Sequence, residues 1–436
     1  MVKYIFNTTL VKLTNALITF LVLMINARML GPEGLGTIGL LLLAVTIILM
    51  LNNFVGGSAL VFLIPRFSLK RIVLLSYVWC MLSVALGALM IRLLQIEPVS
   101  YHHHIVMLSA ILGIGYVNQN ILIGKERIMA MNMIALIQYV TLIASVIVVF
   151  YVMGKPGING YLAAMYISGG VQLLMGTVLV HRLIKGHSVS TVQGLVPSLI
   201  RYGAYVQVAI LAQFFNYRLS YYFIEAYLGR ARLGLFEIGS KLADGLWLFP
   251  KSVSLVQYSV IANASPDRDV VSLTLRLLRF TTTAALVLVG VMVSLPETFY
   301  LYLFGEQYVG LLTVIRYLAP GMVCMTASMI LAHHFAGLGK HYINTIGSVI
   351  GLVTIALACY VLIPRYELPG AAMAASITYG VSMLYHLAVF QFRERATLSQ
   401  YLFNREDVQF VRHFFLSLHR GNQLKNLLSK RNGGSN

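Results

Sequence analysis

Twelve runs of predominantly apolar residues, each long enough to cross a lipid bilayer, follow one another along this chain. A bilayer core takes about 20 such residues as a helix, and the runs lie at 5–27, 37–64, 72–94, 104–124, 129–153, 158–184, 199–227, 233–261, 273–295, 309–336, 341–363 and 370–391. Turn and helix-breaking residues separate them: Gly31-Pro32, Pro65-Arg66, Lys155-Pro156-Gly157, Pro266-Asp267 and Pro364-Arg365. Only 11% of the 436 residues are charged, against about 25% in a soluble domain, so the chain cannot clothe a soluble surface. The pattern predicts an all-α polytopic membrane protein with about 12 transmembrane helices. Polar residues around Asn52-Asn53 and from Glu237 to Lys251 would not be tolerated by lipid, so those faces are expected to look inward. The first run is too long for a removable signal peptide and lacks a small-residue cleavage site. Cys80, Cys324 and Cys359 fall singly inside apolar runs, which fits buried core residues and neither a disulfide framework nor a metal site.

The charges that remain orient the chain. There are 32 Lys and Arg against 14 Asp and Glu. The basic residues stand singly between apolar runs, so nucleic acid is excluded in favour of topology control, anionic lipid head groups and an anionic substrate. With the N-terminus in the cytoplasm, 21 basic residues fall on inner segments and 6 on outer ones; without the C-terminal tail the ratio is still 13 to 6. The positive-inside rule then predicts both termini in the cytoplasm and an even number of spans. The longest central polar connection, His181 to Ser198, divides the spans into two groups of about six. The expected organisation is an N-terminal six-helix bundle over 1–190, a C-terminal six-helix bundle over 191–391, and a basic tail over 392–436. In the tail, Val408, Val411, Phe414, Phe415 and Leu418 recur at helical spacing; this reads either as a helix on the inner membrane surface or as a frayed polar end.

Ionisable residues inside spans are costly and usually face a cavity. At about 100° per residue, Glu237, Lys241, Asp244 and Lys251 project from one stripe of the eighth run. Alternating sign lets Glu237 pair with Lys241, and Lys241 with Asp244. The stripe is either a structural ion-pair ladder or the charged wall of a hydrated central cavity. Lys12, Asn15 and Asn26 share a face of the first run, although Lys12 could snorkel to the interface instead. Arg28 follows that run. Asn216 and Arg218 sit among aromatics in the seventh. Arg316 and His334, 18 residues apart in the tenth, coincide on an ideal helix that Pro320 would kink. His333-His334 lacks a carboxylate or thiol at ligand spacing, and His102-His103-His104 reads as an interfacial loop, so no metal site is expected. No nucleotide-binding, metallohydrolase or nucleophile-elbow motif is present. Gly154-Lys155-Pro156-Gly157 is a turn. These features point away from an enzyme, with no cofactor, and toward movement of an anionic amphiphile without direct ATP hydrolysis.

Five motifs stand in order along the chain. The first is Ala27-Arg28-Met29-Leu30-Gly31-Pro32-Glu33-Gly34-Leu35-Gly36. The second runs from Gly234-Leu235-Phe236-Glu237 to Leu246-Trp247-Leu248-Phe249-Pro250. The third is Phe304-Gly305-Glu306-Gln307-Tyr308 with Leu318-Ala319-Pro320-Gly321. The fourth is Gly337-Leu338-Gly339-Lys340 with Asn344, and the fifth is Leu362-Ile363-Pro364-Arg365-Tyr366 with Pro369-Gly370-Ala371-Ala372. In order and spacing, up to Gln391, they resemble the polysaccharide and O-antigen (Wzx-like) flippases of the multidrug/oligosaccharidyl-lipid/polysaccharide exporter superfamily. Members often carry an acidic residue just before the arginine of the seventh helix. Here Tyr217 stands in its place, which leaves Arg218 for substrate, for Glu225 or for another helix.

The resemblance implies two six-helix bundles around a central cavity of alternating access. It implies a flippase that carries undecaprenyl-pyrophosphate-linked oligosaccharide from the inner to the outer face for O-antigen, capsule or exopolysaccharide synthesis. A polysaccharide polymerase and a chain-length regulator would be its partners. A pyrophosphate suits Arg and Lys, and sugars suit Asn and Tyr. The expected substrate residues are Lys12, Asn15, Asn26, Arg28, Asn216, Arg218, Lys241, Lys251, Arg316 and His334, with Glu237 and Asp244 as candidates for coupling to an ion gradient. A multidrug exporter of the same superfamily would favour an acidic cavity, whereas five basic and two acidic wall candidates are present here. A peptidoglycan-precursor flippase often has helices beyond twelve. A membrane polymerase or ligase needs a sizeable outer loop, and the outer loops near Gln95–His104 and Pro296–Tyr308 are short.

Overall fold

The computed structural model describes residues 2–395 except 57–59, 61–63, 65–66, 96–97, 186–206, 208–210, 212–213, 217 and 263–268. The surface-helix candidate at Val408–Leu418, Tyr217 and most of the central polar connection lie outside the described residues. Among the described residues every regular element is helical: α1 (Val2–Gly56), α2 (Leu69–Leu93), α3 (His102–Gly124), α4 (Ile128–Ile147, running into a π-helical turn at Val148–Val152), α5 (Ile158–Lys185), α6 (218–228), α7 (Arg230–Leu246), α8 (Leu248–Ala262), α9 (Val270–Ser294), α10 (Glu297–Phe304), α11 (Leu311–Gly337) and α12 (His341–Glu394).

Eight described helices are long and apolar enough to cross a membrane. Two of them are double. The apolar part of α1 spans 45 residues and α12 spans 54, roughly 68 and 81 Å at 1.5 Å per residue, more than twice a bilayer core of about 30 Å. Each is broken where the sequence breaks it. In α1 the backbone leaves the helical region at Gly31 (φ 68°, ψ −178°), just before Pro32. In α12 it does so at Glu367 (φ 53°, ψ −134°), between Pro364 and Pro369. The expected run at 233–261 is different. It is interrupted at Trp247 into α7 and α8, so no single continuous stripe joins Glu237 to Lys251.

The described residues pack as two compact units. The first comprises those of Met1–Gly245, Leu295–Leu318 and Gly351–Thr378; the second comprises those of Leu246–Ser294, Ala319–Ile350 and Tyr379–Asn436. In the first, Ile38, Leu41 and Ile48 of α1 meet Val84 of α2, Leu108 of α3, Val146 of α4 and Leu162 of α5. Small residues let the backbones approach: a Cβ on Gly87 would lie 2.5 Å from Ile48, and one on Gly113 2.7 Å from Cys80. Polar side chains join the helices inside this apolar core. Tyr77 donates to Asn118 Oδ1 (2.5 Å) and Asn118 donates to Thr177 (3.1 Å), tying α2, α3 and α5. Asn52 is buried and donates to the Gly113 carbonyl (3.2 Å), so its face does turn inward.

Three sequence motifs meet in this unit. Arg28 donates to the Leu303 carbonyl (2.9 Å) and to that of Tyr302. Gln307 Nε2 and Tyr308 Oη donate to the Ala27 carbonyl at 3.1 and 3.2 Å. A Cβ on Gly36 would overlap the Arg230 carbonyl oxygen, and one on Gly234 that of Pro32. The turn after the first helix is thus clasped on two sides, by α7 and by the segment after α10. In the second unit Leu275 and Leu278 of α9, Ile330 and Phe335 of α11 and Phe390 of α12 form the core.

Candidate functional site

α7 begins after Gly229, whose φ of 80° suits glycine alone. The helix buries Leu233 to Gly239 without interruption. This brings the Glu237 carboxylate inside, where only 5% of the residue stays exposed. A buried carboxylate needs partners, and it has two. Lys241 Nζ lies 3.6 Å from Oε1, one turn along α7. The Tyr221 hydroxyl of α6 donates to Oε2. That hydroxyl in turn accepts from Arg218 Nη1, and the guanidinium lies over the Tyr221 ring at 5.1 Å from its centroid. Arg218 also donates to Ser240 Oγ (3.0 Å) and pairs with Asp244 Oδ2 (2.7 Å).

The result is a chain from Lys241 through Glu237, Tyr221 and Arg218 to Asp244. It holds two cations and two carboxylates, with a tyrosine hydroxyl as the link. One side faces a cavity of 240 Å³, lined by Gly39, Leu42, Leu43 and Thr46 of α1, by Phe214, and by Arg218, Tyr221, Glu237 and Lys241. The wall is therefore mostly apolar on the α1 side, where Thr46 is the polar residue, and carries two cations and one carboxylate on the α6–α7 side.

The sequence brought Arg218, Glu237, Lys241 and Asp244 forward, and the fold does gather them. Their pairing differs in part from expectation. Lys241 takes Glu237 as expected, but Asp244 turns to Arg218 rather than to Lys241. Arg218 is accordingly supplied with an acid from α7. The remaining candidates go elsewhere. Arg28 belongs to the clasp. Asn216 is buried against α12, where a Cβ on Gly351 would overlap its amide. Lys12 is exposed, Asn15 half-buried and Asn26 buried along α1. Arg316 is exposed on α11. Lys251, in the second unit, is exposed with its ammonium 6.0 Å from the Trp247 ring centroid. Tyr221, Ser240, Thr46 and Gly39 were not singled out from sequence. Tyr221 stands three residues after Arg218, one helical turn, and that spacing is the one signal that could have found it.

His334 lies in the second unit and is fully buried. Its Nδ1 is 2.8 Å from Thr274 Oγ1. That hydroxyl donates to the Val270 carbonyl (2.8 Å) and accepts from Gln257 (3.1 Å), so the proton between it and the ring belongs to Nδ1. Nε2 lies 3.6 Å from Glu394. The rings of Phe335 and Phe390 pack edge-on against the imidazole at 5.3 and 5.0 Å. Among the described residues no group of three or more metal-ligating side chains gathers.

No protein-family model matches the sequence, and no curated protein matches it either. Solved structures do. One is a multidrug resistance MATE family transporter of the MOP superfamily in an inward-facing conformation, at 17% identity over 88% of this chain and 94% of that one, TM-score 0.71. Another is the lipid II flippase MurJ in an inward closed conformation, at 12% identity over 90% of this chain and 88% of that one, TM-score 0.71. A third is a MOP superfamily transporter from Pyrococcus furiosus, described as having a binding pocket of reversed polarity, at 15% identity over 90% and 96%, TM-score 0.62. The chain is a multi-pass membrane protein with the fold that these transporters share.

Proposed function

We propose that this protein flips an anionic, lipid-linked oligosaccharide across the bacterial cytoplasmic membrane by alternating access, with undecaprenyl pyrophosphate as the carrier lipid and surface polysaccharide as the destination. The observation that carries the reading is that Arg218 and Lys241 face the same 240 Å³ cavity, each already resting on a carboxylate. Cations held by exchangeable partners suit a transporter. A pyrophosphate entering the cavity replaces Glu237 or Asp244 as the counter-ion, and the carboxylates take the cations back when it leaves. Such an exchange gives the two states a differential interaction with the cargo, which a transport cycle requires. The phosphate end meets Arg218 and Lys241, sugars meet Tyr221 and Thr46, and the prenyl chain stays in lipid. Glu237 or Asp244, by trading its proton or its partner, couples the cycle to an ion gradient. Both termini are cytoplasmic, and a polymerase and chain-length regulator take up the product.

The test is flipping of a labelled lipid-linked oligosaccharide in proteoliposomes. Arg218→Ala and Lys241→Ala, at normal abundance, should each reduce the rate more than tenfold. Normal rates in both would make the network structural and end the assignment. A second reading is a multidrug exporter. Its favouring observation is the Glu237 carboxylate on the cavity wall, a counter-ion that a cationic drug could use. Efflux of a cationic dye that depends on Glu237 and Asp244, with no oligosaccharide flipping, would support it. Lipid II offered beside the oligosaccharide distinguishes the two lipid-linked cargoes.

A further inference from the structure

A second cavity, of 260 Å³, lies within the second unit between α9, α11 and α12. Leu278, Leu331, Met383 and Leu387 supply apolar walls, and Arg279 and Thr282 of α9 supply polar ones. Thr282 differs from Thr274 and Thr281 of the same helix. Thr274 and Thr281 donate to the carbonyl four residues earlier, each at 2.8 Å, the usual resting place of a helical threonine in an apolar setting. The Thr282 hydroxyl is buried and has no hydrogen-bond partner among the described residues. A buried donor left unmatched in this way is costly unless a ligand meets it.

Arg279 precedes Thr282 by three residues, so their Cβ atoms stand about 5–6 Å apart on one face, a span that one phosphate can bridge. Further along the same face Leu286 is 60% exposed. Beyond it Gly290 leaves open space where a side chain would stand. The face thus reads as a cation, a hydroxyl and then an open apolar track, the order of groups in an anionic lipid. Charge counting sets Arg279 on the inner side of the membrane, where anionic head groups are recognised by basic residues.

We infer that this cavity binds one anionic glycerophospholipid of the surrounding bilayer, with its phosphate on Arg279 and Thr282 and an acyl chain along Leu286 and Gly290. The site is separate from the Arg218 network and does not depend on which cargo the protein carries.

Native mass spectrometry of the full-length protein, delipidated and then offered phosphatidylglycerol or phosphatidylcholine, tests this. One phosphatidylglycerol should be retained at least tenfold more strongly than phosphatidylcholine. Arg279→Gln and Thr282→Val should each weaken that retention severalfold. Thr282→Val removes only the hydroxyl and keeps the wall, so it reports even if Arg279→Gln fails to fold. Millimolar inorganic phosphate should leave the lipid in place. Equal retention of the two lipids, no effect of Thr282→Val, or displacement by inorganic phosphate would overturn the inference. Retention that emerges only after deletion of residues 396–436 would also overturn it, by assigning the groove to the chain's own tail.

Discussion

Two ionic clusters, each with one buried member, are built from similar parts and differ in what surrounds them. In the first unit, Arg218, Glu237, Lys241 and Asp244 are joined through Tyr221, and one side of the set borders a cavity. In the second, His334 bonds Thr274 and lies near Glu394, its ring is flanked by Phe335 and Phe390, and no described cavity touches it. A charge that borders empty volume can change partner at modest cost, because something else can reach it. A charge sealed by rings and by hydrogen bonds that fix its proton has no alternative partner. The difference teaches that burial alone does not mark a residue able to change partner. A vacant neighbour does.

The contrast can be broken in order of expected effect. His334→Ala should be the most damaging to stability, costing roughly 3 kcal/mol, since it opens a cavity beside Phe335 and Phe390 and removes the imidazole that meets Thr274. It should be read as a fall in the unfolding temperature in detergent, with flipping per folded molecule retained. If transport is lost and stability kept, the two clusters have been assigned the wrong way round. Arg218→Ala should do the reverse. Its ion pair is partly exposed and is worth only about 1 kcal/mol to folding, while the flipping rate falls more than tenfold. A cycle of Arg218→Ala and Asp244→Ala should show a coupling of about 1 kcal/mol in stability, and an additive result would deny that the pair matters. Glu237→Gln should change the flipping rate only severalfold, and make it less responsive to an imposed proton gradient. A response equal to the parent's would remove Glu237 from coupling. Gly39→Ala should be the mildest. The added methyl would sit 3.6 Å from Glu237, an ordinary contact, so a rate within about twofold of the parent is expected, whereas Gly39→Leu should block the cavity and cost about 1–3 kcal/mol of stability by overpacking.

Much of the fold is legible in the sequence, because a bilayer admits few solutions. Apolar runs of bilayer length had to become helices, and Gly31-Pro32 and the prolines at 364 and 369 had to interrupt them. The break at Trp247 was legible but went unread: Pro250 has no N–H for the Leu246 carbonyl, and its fixed φ suits the first turn of a new helix. That break removed Lys251 from the stripe that spacing had drawn. The charged residues of the site were legible by cost, as ions that lipid would reject. Their partners were not. Spacing within α7 offers Asp244 to Lys241, but the choice of Arg218 depends on where α6 lies, and helical periodicity carries no information about a neighbouring helix. The same limit explains why Thr46 and Gly39 went unnoticed: a cavity wall is a property of facing helices.

The contact of Gly36 with Arg230 and of Gly234 with Pro32 has a mechanical consequence. Two backbones that touch without intervening side chains leave no slack, and the Arg28 clasp closes the other side of the same turn. Such a joint behaves as a fulcrum. The part of α1 before Gly31 is about 43 Å long at 1.5 Å per residue. A tilt of about 10° about the joint would carry its far end through roughly 7 Å while the joint itself hardly moves. Residues one helical turn from the cavity-lining Gly39 and Glu237 would then set the tilt of α1, and a single methyl at Gly36 or Gly234 would jam it.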